Sequence, residues 1–196
     1  MIAISVDRIE NVKRRLHCTN YDGHLELYLK KSQCIENPCA WSKSHPFIVN
    51  WLSMETSPKL FITGKPGTGK SVLAAHMIDM IQKEKVDADD GGVLLYYFSG
   101  ADPAVDQYSD VRHEASSKAI LMTFLRQILS AYHHSMVGLD EVVAYTLSSG
   151  HGMFTELGLR GRIANLLESF DRVTYAYCLP LLLTLAYFVF EGSSLT

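Results

Sequence analysis

Apolar residues fall at helical spacing through much of this chain, and gather into short unbroken runs at residues 60–63 and 93–98. The two patterns predict different elements. A period near 3.6 marks one face of a helix, and a short apolar run bounded by turn residues marks a strand buried on both sides. Ile2, Val6, Ile9 and Leu16 share a face with charges between them, so residues 2–16 are expected to be an amphipathic helix. Asn20-Tyr21-Asp22-Gly23 is turn chemistry, and HLELYLKK after it reads as a second short helix. Asn37-Pro38 breaks the pattern. HPFIVNWLS, residues 45–53, reads as a helix with Pro46 in its first turn, and with Phe47, Ile48, Trp51 and Leu52 turned to a core.

The run at 60–63 is a strand that ends at Gly64. Val72, Leu73, Met77, Ile78 and Ile81 then place a helix over 71–83. A polar turn at 87–92 precedes the second strand, 93–98, and SGADPAVDQYSD follows as a loop. Further helices are expected at 116–132, 139–147 and 154–170, with Ser148-Ser149-Gly150-His151-Gly152 between the last two. Strand, helix, strand, helix implies an α/β fold with a parallel sheet flanked by helices.

The junction of the first strand and its helix carries the clearest chemistry. Gly64-Lys65-Pro66-Gly67-Thr68-Gly69-Lys70-Ser71 fits G-x-x-x-x-G-K-[ST] at every fixed position, the Walker A phosphate loop. A phosphate chain needs converging donors. Glycines at 64, 67 and 69 allow a tight turn with no Cβ in the way. Successive N–H groups form an anion nest, and the helix starting near Lys70 points its positive end at the same place. Lys70 would reach the β- and γ-phosphates, and the Ser71 hydroxyl would ligate Mg²⁺. The expected binding set is Gly64, Lys65, Pro66, Gly67, Thr68, Gly69, Lys70, Ser71 and Val72, with ATP or GTP as ligand. The loop does not select the base.

With these residues in view, the chain resembles the nephrocystin 3-like N-terminal domain, a branch of the NACHT-type P-loop NTPases. Such domains occur in large fungal NOD-like (STAND) proteins, often ahead of ankyrin, WD or tetratricopeptide repeats. The resemblance rests on CAWSKSHPFIVNWL, SPKLFITGKPGTGKSVLAAHMI, VLLYYFSG and SSKAILMTFLRQIL, and covers roughly residues 17–170. It implies a P-loop NTPase fold and a nucleotide-driven switch in signalling or assembly. It also implies an apolar strand ending in acids, the Walker B element that holds the Mg²⁺ water shell and orients the attacking water.

After LLESFDRV the sequence reads TYAYCLPLLLTLAYFVFEGSSLT instead. Residues 185–190 followed by Glu191 imitate the element with one acid and no aspartate. The chain is therefore expected to lack the C-terminal half of the fold, as if truncated before Walker B. No catalytic residue is assigned, and hydrolysis is left open, with Glu191 the candidate for a slow NTPase. The domain reading is a helical lead-in at 1–44, a partial NACHT/P-loop domain at 45–171 and an apolar tail at 172–196. Residues 173–190 carry no charge and sit at the lower edge of membrane-spanning length, so buried structure, aberrant sequence and a membrane anchor stay open for the tail.

Composition changes this picture little. The content is 47% hydrophobic and 20% charged, as in a folded chain, and the net charge of -3 does not indicate a nucleic-acid partner. Lys13-Arg14-Arg15 reads as a solvated helix face. There are 4 cysteines and no secretory signal pattern, so a reducing, cytoplasmic setting is expected. Cys18, His24, Cys34 and Cys39 match no zinc spacing. Asp110 and Arg112 lie in the loop after the second strand and are expected to face solvent. Trp41 and Trp51 read as packing residues, and the histidines lie in separate segments with no nucleophile beside them. The alternative to a nucleotide module is a non-catalytic interaction protein, or decoy, that associates with itself or with related NACHT proteins through an unpaired sheet edge.

Overall fold

The computed structural model describes residues 6–16, 18, 20–32, 39–53, 59–65, 67–83, 92–98, 117–131, 138–148, 154–170, 172–178 and 186–192. Their elements, in chain order, are α1 (Val6–Arg15), α2 (Tyr21–Ser32), a 3-10 turn (Ala40–Lys43), α3 (Pro46–Ser53), β1 (Lys59–Ile62), α4 (Lys70–Ile81), β2 (Gly92–Phe98), α5 (Ser117–Ser130), α6 (Leu139–Ser148), α7 (Glu156–Leu167), β3 (Arg172–Cys178) and β4 (Ala186–Gly192). They form two compact units that cut across chain order. One joins Met1–Thr19 to Ser109–Phe170, and the other joins Asn20–Tyr108 to Asp171–Thr196.

The first unit is helical. α5 packs on α7, and α1 packs on α6 and α5. Ile9, Val12, Leu125, Ile128, Leu159 and Leu166 are among its buried residues, each on the apolar face that its helical spacing defines. The basic run on α1 is engaged rather than simply solvated. Lys13 pairs with Glu10 at 2.8 Å, a bond that holds the Glu10 carboxyl below its usual range. Arg15 donates to the Leu147 carbonyl in the last turn of α6 at 3.1 Å, where a cation suits the helix end.

At the start of α7, Thr155 Oγ1 accepts from the Gly158 N–H, and the Tyr145 hydroxyl accepts from the Thr155 N–H, both at 3.1 Å. The Arg162 guanidinium lies over the Tyr145 ring, 3.8 Å from its centroid. A Cβ on Gly158 would stand 2.5 Å from the Tyr145 hydroxyl and 2.8 Å from Thr155 Oγ1, whereas one on Gly161 meets nothing within 4 Å. Two glycine-to-alanine changes in one helix therefore have opposite signs. Gly161→Ala is expected to stabilise by about 0.5–1 kcal/mol. Gly158→Ala is expected to cost about 1 kcal/mol by displacing the cap. Urea midpoints of the two variants check both.

The second unit carries the sheet. Asn20-Tyr21-Asp22-Gly23, expected as a turn, instead starts α2: Asn20 Oδ1 accepts from the Gly23 N–H at 3.1 Å, an N-cap made of turn-type residues. Pro46 is the first residue of α3, where its missing N–H costs nothing. Ile48 and Trp51 are buried and Leu52 is half-buried, but Phe47 is 77% exposed and leaves the core face expected of it. Trp41 is exposed too, edge-on to His45 with centroids 5.5 Å apart.

The strand order is β1-β4-β3-β2. β2 and β3 are parallel, while β4 runs antiparallel to β3 and to β1. Chain length explains the mixture. A parallel return takes a crossover of about a dozen residues or more, and the stretch from Cys178 to Ala186 is too short for one. Both strands of the apolar tail thus join the sheet. No helix among the described residues is long and apolar enough to cross a membrane.

Every residue of β2 from Val93 to Phe98 is buried, as an unbroken apolar run requires. α2 and α4 both pack on β2, and α4 also meets β3 and β4. Tyr96 donates its hydroxyl to Asp22 Oδ1 at 2.9 Å, and burial together with that carboxylate pushes the phenol well above its ordinary range.

Candidate functional site

The loop from Gly64 to Gly69 joins β1 to α4, so the last rung of the sheet stands beside it. Ile62, Ala186, Cys178 and Phe98 share that rung. The loop residues 64, 65 and 67–69 are exposed, while Lys70 beside them is 7% exposed. Gly67 and Gly69 have φ of 80° and 83°, the left-handed region, on either side of Thr68. Glycine supplies both at no steric cost, and turns of this kind aim neighbouring N–H groups to one side. Gly69 is also the N-cap of α4, with no side-chain cap bond, and its carbonyl accepts from the Leu73 N–H at 2.9 Å.

Lys70, the first residue of α4, folds back over the loop. Its Nζ donates to the Lys65 carbonyl at 2.5 Å and to Thr68 Oγ1 at 3.1 Å. A buried ammonium needs such acceptors, because leaving one unpaired is costly. Gly64 makes room for the arrangement: a Cβ there would stand 3.0 Å from Thr68 Oγ1 and 3.7 Å from Lys70 Cδ. Ser71 and Val72, second and third in the helix, are half-buried. Eight of the nine sequence-derived residues thus lie in one loop and helix start, and Pro66 lies outside the described residues. The loop joins two positive-φ glycines, a helix N-terminus and one hydrogen-bonded ammonium. Its chemistry suits a multiply charged oxyanion, and a metal bound with that anion would find the Ser71 hydroxyl next to it in sequence.

The model of the family described as nephrocystin 3, N-terminal, matches residues 37–172 of this chain, a span that contains the whole loop. The chain belongs to that family. No curated protein and no solved structure matches it. Within this nephrocystin 3 N-terminal chain the match begins just before the 3-10 turn and ends at the first residue of β3.

The structure moves Glu191 away from the loop. In the antiparallel pairing of β1 with β4, Ile62 faces Ala186 and Lys59 faces Val189. Glu191 lies farther along, opposite Val173 near the start of β3. At roughly 3.3 Å per residue, that is about 16 Å along the strands from the rung beside the loop. Sequence order places one acid after the apolar run, but it does not carry the antiparallel direction of β4.

Asp110 and Arg112 lie outside the described residues. Of the thiol and imidazole residues that match no zinc spacing, His24 is buried in α2, Cys39 precedes the 3-10 turn with φ 59°, and Cys34 is outside the described residues. Burial pushes the Cys39 thiol up, away from the reactive thiolate. Among the described residues no cluster of three His, Cys, Asp or Glu side chains is placed to hold a metal. Sequence reasoning missed a cavity of about 150 Å³ between the 3-10 turn and mid-α4, lined in part by Cys39, Lys43, His76 and Asp79. Three of its polar side chains have side-chain partners. Lys83 pairs with Asp79 at 2.9 Å, and His76 Nε2 meets Ser32 Oγ at 2.8 Å.

Proposed function

We propose that this chain binds a nucleoside triphosphate, ATP or GTP, with Mg²⁺ through the loop at Gly64–Ser71, as part of a NACHT/STAND-type switch. The observation that carries the reading is the buried Lys70 residue, its ammonium tied into a loop whose glycines at 67 and 69 adopt positive φ at the start of a helix. In this reading the loop N–H groups and the end of α4 cradle the phosphate chain. Lys70 neutralises its β and γ groups, and Ser71 supplies one oxygen to the metal. Mg²⁺, when bound with the nucleotide, screens phosphate charge.

Binding is tested apart from turnover, because the rung beside the loop, Ile62, Ala186, Cys178 and Phe98, carries no carboxylate and assigns no residue to a metal-bound water. Titration calorimetry with Mg·ATP and Mg·GTP tests the proposal. Saturable binding with a micromolar Kd supports it, and no heat with either nucleotide overturns it. Phosphate release adds a second check. Glu191→Gln should leave any residual hydrolysis within about twofold of the parent chain. A large loss of turnover would mean that β4 does not hold the register described.

A further inference from the structure

The Thr68 side chain closes a small ring of hydrogen bonds within the loop. Its hydroxyl donates to the Lys65 carbonyl at 2.9 Å. Lys70 Nζ donates to that same carbonyl and to Thr68 Oγ1, at 2.5 and 3.1 Å. A hydroxyl has one hydrogen, and here it is committed to the carbonyl, so its lone pairs are left for the ammonium. Two of the three ammonium donors are thereby fixed by the loop itself. The G-x-x-x-x-G-K-[ST] pattern leaves position 68 unconstrained, and phosphate binding by a nest uses only its backbone.

We infer that the Thr68 hydroxyl is a positioning group that holds the Lys70 ammonium in place before a ligand arrives and so sets affinity for a phosphate chain. This rests on the phosphate-binding reading of the loop. A free lysine side chain has many rotamers, and a ligand that must order it binds more weakly than one that meets it already ordered. Thr68 is exposed, so replacing it does not disturb a core. Valine keeps the β-branched shape and removes the hydroxyl, and serine keeps the hydroxyl.

Two measurements on Thr68→Val and Thr68→Ser test the inference. The first is the Kd for Mg·ATP and for inorganic pyrophosphate. The valine variant should bind about tenfold more weakly, and the serine variant within about twofold of the parent. The second is NMR of the lysine ammonium groups in ligand-free protein, with Lys70→Arg to assign the signal. A slowly exchanging Lys70 ammonium should be present in the parent and the serine variant and lost in the valine variant. Unchanged or tighter binding by Thr68→Val would overturn the inference, as would an unaltered Lys70 signal in that variant. If the parent binds neither ligand while the signal still depends on the hydroxyl, the nucleotide reading falls and the positioning of Lys70 stands.

Discussion

Replacing Lys70 with alanine is expected to weaken Mg·ATP binding about 100-fold, measured by titration calorimetry, with Mg·GTP affected equally because the loop does not touch the base. The size follows from what the side chain offers. Hydrogen bonds to charged groups contribute about 1.5–3 kcal/mol, and about 2.7 kcal/mol corresponds to 100-fold. Lys70 is 7% exposed as a residue, so water screens its charge less than that of a surface lysine. The same change should leave folding nearly untouched. Alanine is a good first residue for α4, and the Lys65 carbonyl it abandons belongs to an exposed loop residue that water can reach. A parent-like unfolding midpoint with lost binding isolates the phosphate contact. Parent-like binding would take Lys70 out of the site and overturn the proposed function.

Leu95→Ala should lower stability by about 3 kcal/mol, within the usual range for a fully buried leucine. Leu95 is 0% exposed in the middle of β2, opposite Tyr175 of β3, in a strand on which α2 and α4 pack. Truncation removes apolar contacts and leaves a cavity that the hydrogen-bonded sheet cannot close around. In a chain of this size the thermal midpoint should fall by about 6–12 °C. Phe47→Ala is the matched contrast. Its ring is 77% exposed, so the change should stay within about 0.5 kcal/mol. Equal losses from both variants would contradict the burial of β2.

Local pattern alone placed the helices, the first two strands and the loop. The periods of 3.6 and the unbroken runs located the helices and the first two strands to within a few residues, because each pattern is a local consequence of which side chains must leave water. The loop was legible for the same reason. Its glycines, Lys70 and Ser71 are consecutive in the chain, so no distant contact is needed to bring them together. Family membership followed from the same stretch and its flanks. Tertiary structure decided what depends on pairing between distant segments. The apolar run after residue 171 had no helical or alternating signature, and only its pairing with β2 and β1 makes it two strands. The antiparallel direction of β4, which carries Glu191 to the far end of the sheet, comes from a short connection and sheet hydrogen bonds that composition does not record. Phe47 shows the same limit on a smaller scale: helical spacing names an apolar face, but contact with neighbouring elements decides how much of that face is covered.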